Sequence, residues 1–140
     1  MNDSTQKTAS CLCGSISISA NPVRRNFTAC HCDMCRKWGG LWMAVECSSD
    51  ADLGGIDALT VYDSSAWAER GFCSKCGTHL FYKVKRESRY YIPVGLFDDI
   101  DDFVFRRQIY IDRKPDYYCF ANDTIDLTEA QIAAAAPQDE

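Results

Sequence analysis

Polar and apolar residues alternate strictly through Ser15-Ile16-Ser17-Ile18-Ser19, and a period of two predicts a strand with one buried face. Asn21-Pro22 ends that run, since proline has no amide to give to a ladder. Residues 41–45 are apolar throughout (Leu-Trp-Met-Ala-Val) and predict a second, more deeply buried strand. Gly54-Gly55 marks a turn, and residues 59–62 predict a short strand after it. Residues 79–84 and 89–94 predict two more strands, and residues 103–111 one or two again. Runs of this length, divided by Gly, Pro, Asn and Asp, predict a mainly β body of mostly antiparallel strands. A single helix is expected, near the end. Thr128-Glu129-Ala130-Gln131 has the form of a capping box, an alanine-rich turn follows, and Pro137 stops it.

The pattern shows no repeat and no low-complexity linker. It predicts one domain over residues 10–140, preceded by a mobile lead-in over residues 1–9. Bulk composition agrees. In 140 residues, 46% are hydrophobic and 25% charged, which suffices for one core and disfavours disorder. The net charge of -5 argues against a nucleic-acid partner, which needs a surplus of Lys and Arg, yet leaves room for a small anionic ligand. The first ten residues lack the apolar run of a signal peptide, and no run approaches the roughly 18 apolar residues of a membrane span. These features predict a cytoplasmic protein without membrane contact. In such a reducing compartment clustered cysteines serve as ligands or catalysts more often than as disulfides.

Nine cysteines are present, and seven fall into three clusters. They are Cys11-Leu12-Cys13-Gly14, Cys30-His31-Cys32-Asp33-Met34-Cys35-Arg36 and Cys73-Ser74-Lys75-Cys76-Gly77. Zinc(II) favours four ligands in a tetrahedron, and thiolates serve it well. The first and third clusters each offer two sulfurs and are each closed by glycine, which lets the backbone turn tightly around a metal. Brought together, Cys11, Cys13, Cys73 and Cys76 would make one closed, structural zinc site. Redox-active or simply buried thiols are the alternative. The middle cluster offers three sulfurs and is followed by Arg36. Three protein ligands, Cys30, Cys32 and Cys35, leave a fourth position open, as in a catalytic zinc site. The competing readings are a second structural zinc closed by Cys47, Cys119 or His31, and a site that loads metal weakly. Two zincs per chain are expected. Thiolate sites carry excess negative charge, so Arg36, Lys37 and Arg70 are candidates to offset it.

These three clusters, in this order, resemble the glutathione-dependent formaldehyde-activating enzyme family, which includes S-(hydroxymethyl)glutathione synthase and the related centromere protein V. Arg70-Gly71-Phe72 before the third cluster, Ser64-Ser65 and the stretch from Ile109-Tyr110-Ile111 to Lys114-Pro115 extend the likeness over roughly residues 10 to 120. The resemblance implies a Mss4-like fold of antiparallel sheets around a structural zinc held by Cys11, Cys13, Cys73 and Cys76. It implies a catalytic zinc on Cys30, Cys32 and Cys35. The activity implied is that of a carbon–sulfur lyase: glutathione thiol adds to formaldehyde to give S-(hydroxymethyl)glutathione. A small thiol and an aldehyde are then the partners, and Arg36 or Arg70 would orient a substrate carboxylate by bidentate contact. Two other classes stand beside the enzyme. One is a zinc-stabilised protein-binding module; the other is a thiol or zinc sensor.

The remaining residues read as structural. His31 lies between two candidate ligands and is expected to point away from the metal. His79 sits in a strand. Cys47 and Cys119 are expected to be buried packing residues. Trp38 and Trp42 wall either a pocket or the core. Asp98, Asp99, Asp101 and Asp102 lack the glycine and the distal glutamate of a calcium loop and read as a solvated turn.

Overall fold

The computed structural model describes residues 6–135. Eleven strands and two α-helices follow one another along these residues, so the body is mainly β, with the expected short helix near its end. The residues gather into two compact units. One contains the chain up to Arg25 together with Ala44–Phe103; the other contains Asn26–Met43 and the chain from Val104 onward. Neither unit is continuous in sequence, so no shift in composition marks a boundary.

In the first unit, β1 (Lys7–Ser10), β2 (Ser17–Ala20) and β5 (Asp52–Gly54) form an antiparallel sheet in the order β1-β2-β5. The alternation read from the sequence holds: Ile16, Ile18 and Ala20 are buried and Ser17 is exposed. Residues 7–9, expected as part of a mobile lead-in, instead pair with β2 in a ladder from Lys7↔Ala20 to Ser10↔Ser17. The only apolar side chain in β1 is the small, buried Ala9, too weak a signal to read as a strand. Gly55 follows β5 at φ +79°, the left-handed region, and a Cβ there would run into the carbonyl of Ser15. That contact is why the turn requires glycine.

Strand β4 (Trp42–Cys47), from Ala44 on, and strands β6 (Leu59–Tyr62), β7 (Ala68–Cys73), β8 (His79–Val84) and β9 (Arg89–Pro93) supply the second ladder of this unit. The order β4-β9-β8-β7-β6 is antiparallel throughout. Val45, Cys47, Leu80, Phe81 and Ile92 are buried in its core. A register shift in the β7–β8 ladder lies between Gly71 and Phe72. The Phe81 ring packs directly on Gly71, where a Cβ would collide with it.

The second unit is built differently. Strand β10 (Val104–Ile109) pairs in parallel with β3 (Asn26–Cys30) on one side and with β11 (Ile125–Leu127) on the other. The expectation of a mostly antiparallel β body holds, and these two parallel pairs are the exceptions to it. Burial alternation cannot reveal strand direction, and partners so distant in sequence are free of the hairpin that enforces antiparallel pairing. Phe27 stacks on Phe105 at 5.4 Å, and Phe105 meets Phe120 edge-on at 5.0 Å.

Two helices belong to this unit. The first, α1 (Asp33–Gly39), was not expected. Gly40 ends it at φ 79°, its amide donating to the Arg36 carbonyl. The second, α2 (Glu129–Ala135), is the expected one. Its capping box is complete: the Gln131 amide donates to Thr128 Oγ1 at 3.2 Å and the Thr128 amide to Gln131 Oε1 at 2.7 Å. Pro137, the expected stop, lies outside the described residues. Among the described residues, no helix is long and apolar enough to cross a membrane.

Candidate metal centres

Cys11 and Cys13 lie in the turn between β1 and β2, while Cys73 ends β7 and Cys76 lies in the turn that leads to β8. Both turns are glycine-closed in the same way. Gly14 and Gly77 each sit at φ 81°, and each donates its amide to the carbonyl of the first cysteine of its pair. A Cβ at either glycine would meet nothing within 4 Å, so the requirement is for the left-handed conformation and not for space.

The four sulfurs all lie within 4.8 Å of one another. Cys11 Sγ is 3.6 Å from Cys13 Sγ, which is 3.8 Å from Cys73 Sγ. Sulfurs at about 2.3 Å from a tetrahedral zinc stand roughly 3.8 Å apart, so the spacing of Cys11, Cys13 and Cys73 matches such an ion and Cys76 lies close enough to complete the set. The first and third clusters thus come together, as their closing glycines suggested.

Hydroxyls and a backbone amide lie against these sulfurs. The Ser15 hydroxyl lies 3.2 Å from Cys13 Sγ, the Thr78 hydroxyl 3.1 Å from Cys76 Sγ, and the Ile16 amide donates to Cys11 Sγ at 3.3 Å. The hydroxyl and amide of Thr78 pull the Cys76 thiol down to about 5. Those of Ser15 lower Cys13 likewise, while burial raises Cys73. Sequence reasoning missed these partners, although Cys13-Gly14-Ser15 and Cys76-Gly77-Thr78 repeat one signature: cysteine, glycine, hydroxyl. Arg70, the expected counter-charge, is buried with its guanidinium over the Tyr82 ring at 4.7 Å.

The middle cluster forms a second group within the other unit. Cys30 ends β3 opposite Ile109, and the His31 amide donates to the Ile109 carbonyl at 3.1 Å. Cys32 caps α1, its sulfur accepting the Cys35 amide at 3.4 Å, and Cys35 is buried in the first turn. These three sulfurs lie within 4.8 Å of one another. Hydrogen bonds from Cys30 and Cys35 draw Cys32 strongly toward the thiolate, and the same sharing pushes Cys30 up.

Among the described residues, no His, Cys, Asp or Glu joins the three as a fourth mutual neighbour. Cys47 is fully buried in β4, and burial pushes its thiol up to about 12. Cys119, expected to be buried, is exposed, because the aromatic segment around it turns Phe120 inward instead.

Arg36 folds back on the cluster's own loop. Its Nε donates to the His31 carbonyl at 3.0 Å and its Nη2 reaches Asp33 Oδ1 at 2.7 Å. Lys37 is exposed and Trp42 buried. Tyr110 sits at φ 55° just after β10, and burial together with the Cys30, Cys32 and Cys35 thiols pushes its hydroxyl up.

His31 does not face the sulfurs. It is fully buried, with Nδ1 2.7 Å from the Tyr118 hydroxyl and Nε2 2.8 Å from Gln108 Oε1. His79 is half-buried, its pKa lowered by burial and by the charge of Arg70. Two of the aspartates of residues 98–102 hold protein cations: Asp102 pairs with Lys7 at 3.1 Å and with Arg25 at 3.0 Å, and Asp99 with Lys7 at 3.5 Å.

The family model for the glutathione-dependent formaldehyde-activating enzyme matches residues 6–113. An uncharacterised lyase of Schizosaccharomyces pombe is 36% identical over 124 residues, spanning 87% of this chain and 90% of the yeast protein. A Podospora anserina protein that bears the family's name is 30% identical over 92 residues, covering 60% of this chain and 42% of its own length. In fold, the crystal structure of a Rhodobacter sphaeroides protein superimposes with a TM-score of 0.58 at 24% identity, over 65% of this chain and 87% of that one. On the extent of the family match and the likeness to the yeast lyase over most of both chains, this chain belongs to the glutathione-dependent formaldehyde-activating enzyme family.

Proposed function

We propose that the protein is a zinc-dependent carbon–sulfur lyase acting on a thiol–aldehyde adduct such as S-(hydroxymethyl)glutathione. In this reading Cys11, Cys13, Cys73 and Cys76 hold a structural zinc, and Cys30, Cys32 and Cys35 hold the catalytic one. The observation that carries it is the three-sulfur group, which among the described residues gathers no fourth protein donor. Three thiolates and one open position suit a reacting ligand; four sulfurs suit a staple. Two zincs bound through thiolates, a small thiol and an aldehyde as substrates, and a reducing cytoplasmic setting belong to the same reading.

A bound zinc would supply Lewis acidity there, lowering the pKa of a thiol or polarising an aldehyde oxygen. The chain's own part is to hold and orient. Cys32 is the sulfur most drawn to the thiolate, and Cys35 is fixed in a helical turn. Arg36 places positive charge beside the cluster, with Nε and Nη2 engaged by the loop. In the synthetic direction the thiol gives up its proton as its sulfur bonds to the aldehyde carbon, the carbonyl pair moves to oxygen, and that oxygen takes up a proton in turn. The lyase direction reverses each step.

The test is exchange NMR on glutathione and formaldehyde, with and without the zinc-loaded protein. The reading predicts adduct exchange faster than in buffer, and loss of that acceleration in Cys32→Ser with an unchanged circular dichroism spectrum. Exchange at the buffer rate with the native protein would refute it.

A further inference from the structure

Behind the three-cysteine loop runs a chain of hydrogen bonds, buried at His31 and Gln108 and reaching the surface at Asp126, that neither candidate centre uses. It starts at Tyr118, whose hydroxyl lies 2.7 Å from His31 Nδ1, and passes through His31 Nε2 to Gln108 Oε1 at 2.8 Å. Gln108 Nε2 donates to Thr124 Oγ1 at 2.9 Å, and the Thr124 hydroxyl donates to Asp126 Oδ1 at 2.7 Å. His31 and Gln108 are 0% and 5% exposed.

The direction of the chain is set from its far end. A carboxylate only accepts, so the Thr124 proton goes to Asp126 and the Thr124 oxygen accepts from the Gln108 amide. The Gln108 oxygen therefore faces His31 and takes the Nε2 proton. Nδ1 is left to accept from the Tyr118 hydroxyl. Tyr118 is anchored in turn: Lys114 Nζ donates to its carbonyl at 2.5 Å and to that of Pro115 at 3.0 Å.

The His31 backbone is held as firmly as its ring. Its amide donates to Ile109 at 3.1 Å and its carbonyl accepts from Arg36 Nε at 3.0 Å. All four polar groups of a residue lying between Cys30 and Cys32 are thus engaged. Turning that residue would break at least one buried hydrogen bond, and a buried polar group left unpaired is costly.

We infer that His31 is a positioning residue: the chain Tyr118–His31–Gln108–Thr124–Asp126 clamps the backbone of residues 30–32 so that Cys30 and Cys32 present their sulfurs to one metal ion. The inference rests on the reading that the three-cysteine group binds metal. It separates His31 from a merely packed core histidine, whose loss would lower stability without acting on one metal in particular.

The test uses the full chain, reduced and zinc-loaded, with zinc release to an excess of chromogenic chelator followed in time. Gln108→Leu and Tyr118→Phe are expected to release one of the two zincs about 10-fold faster or more, the scale on which such outer partners act. The other zinc should leave at the native rate. The double variant should release little faster than the worse single one, because both substitutions cut the same chain. Native-like release of both zincs in both variants would overturn the inference. So would equal acceleration of both zincs, which is what general destabilisation produces. Should the variants fail to fold, the native protein decides by nitrogen NMR of His31: a proton on Nε2 supports the inference, and one on Nδ1 overturns it. A native chain that takes up a single zinc would overturn the metal reading and this inference together, whereas two zincs with unresponsive variants would overturn the inference alone.

Discussion

At Gly55 a single hydrogen does the work of a whole side chain's absence. The backbone lies at φ +79°, and the Ser15 carbonyl occupies the space a Cβ would need. Gly55→Ala therefore meets both left-handed strain and a clash with backbone that cannot swing aside. We expect a loss of more than about 2 kcal/mol, the sum of an unfavourable φ and a displaced turn, read as a lowered thermal midpoint of the zinc-loaded protein. Gly14 is a useful control. It has the same positive φ but open space, so Gly14→Ala should cost less than Gly55→Ala. Equal midpoints for the two variants would mean that the Ser15 contact is unimportant.

Helices α1 and α2 differ in what fixes their starts, and that difference explains what could be read from sequence. For α2 the signal was the capping box, and both of its hydrogen bonds form. Thr128→Ala should fray this helix, at a cost of about 1 kcal/mol, seen as faster amide exchange over residues 129–135 with little change in the global midpoint. Unaltered exchange there would show that the cap does not hold the helix. For α1 the cap is the sulfur of Cys32, outside the usual capping residues. Its seven residues are also too few to display a helical period.

Among the strands, β2 and β8 were legible from alternation and apolar content, with β8 matching its expected bounds. Strand β7 was not, because Glu69, Arg70 and Gly71 break the apolar pattern even though Arg70 is buried. The cysteine groups were legible because ligand spacing is local and glycine marks the turns. The clamp on His31 was not, since its partners Gln108 and Tyr118 stand 77 and 87 positions away.

For the molecule as a whole, each compact unit carries its own sulfur group: four cysteines in the unit that includes Ala44–Phe103, three in the unit that includes Asn26–Met43. In the proposed reading the structural and reacting functions fall to separate pieces of chain, so removing one group should leave the other able to bind metal. The measurement that tests this most directly is zinc per chain by native mass spectrometry, made on freshly reduced native protein and on Cys35→Ser side by side. The account predicts two zincs on the native chain and one on the variant. A single zinc on the native chain, unchanged in Cys35→Ser, would contradict it: the three-cysteine group would then hold no metal, and the proposed catalytic centre would not exist.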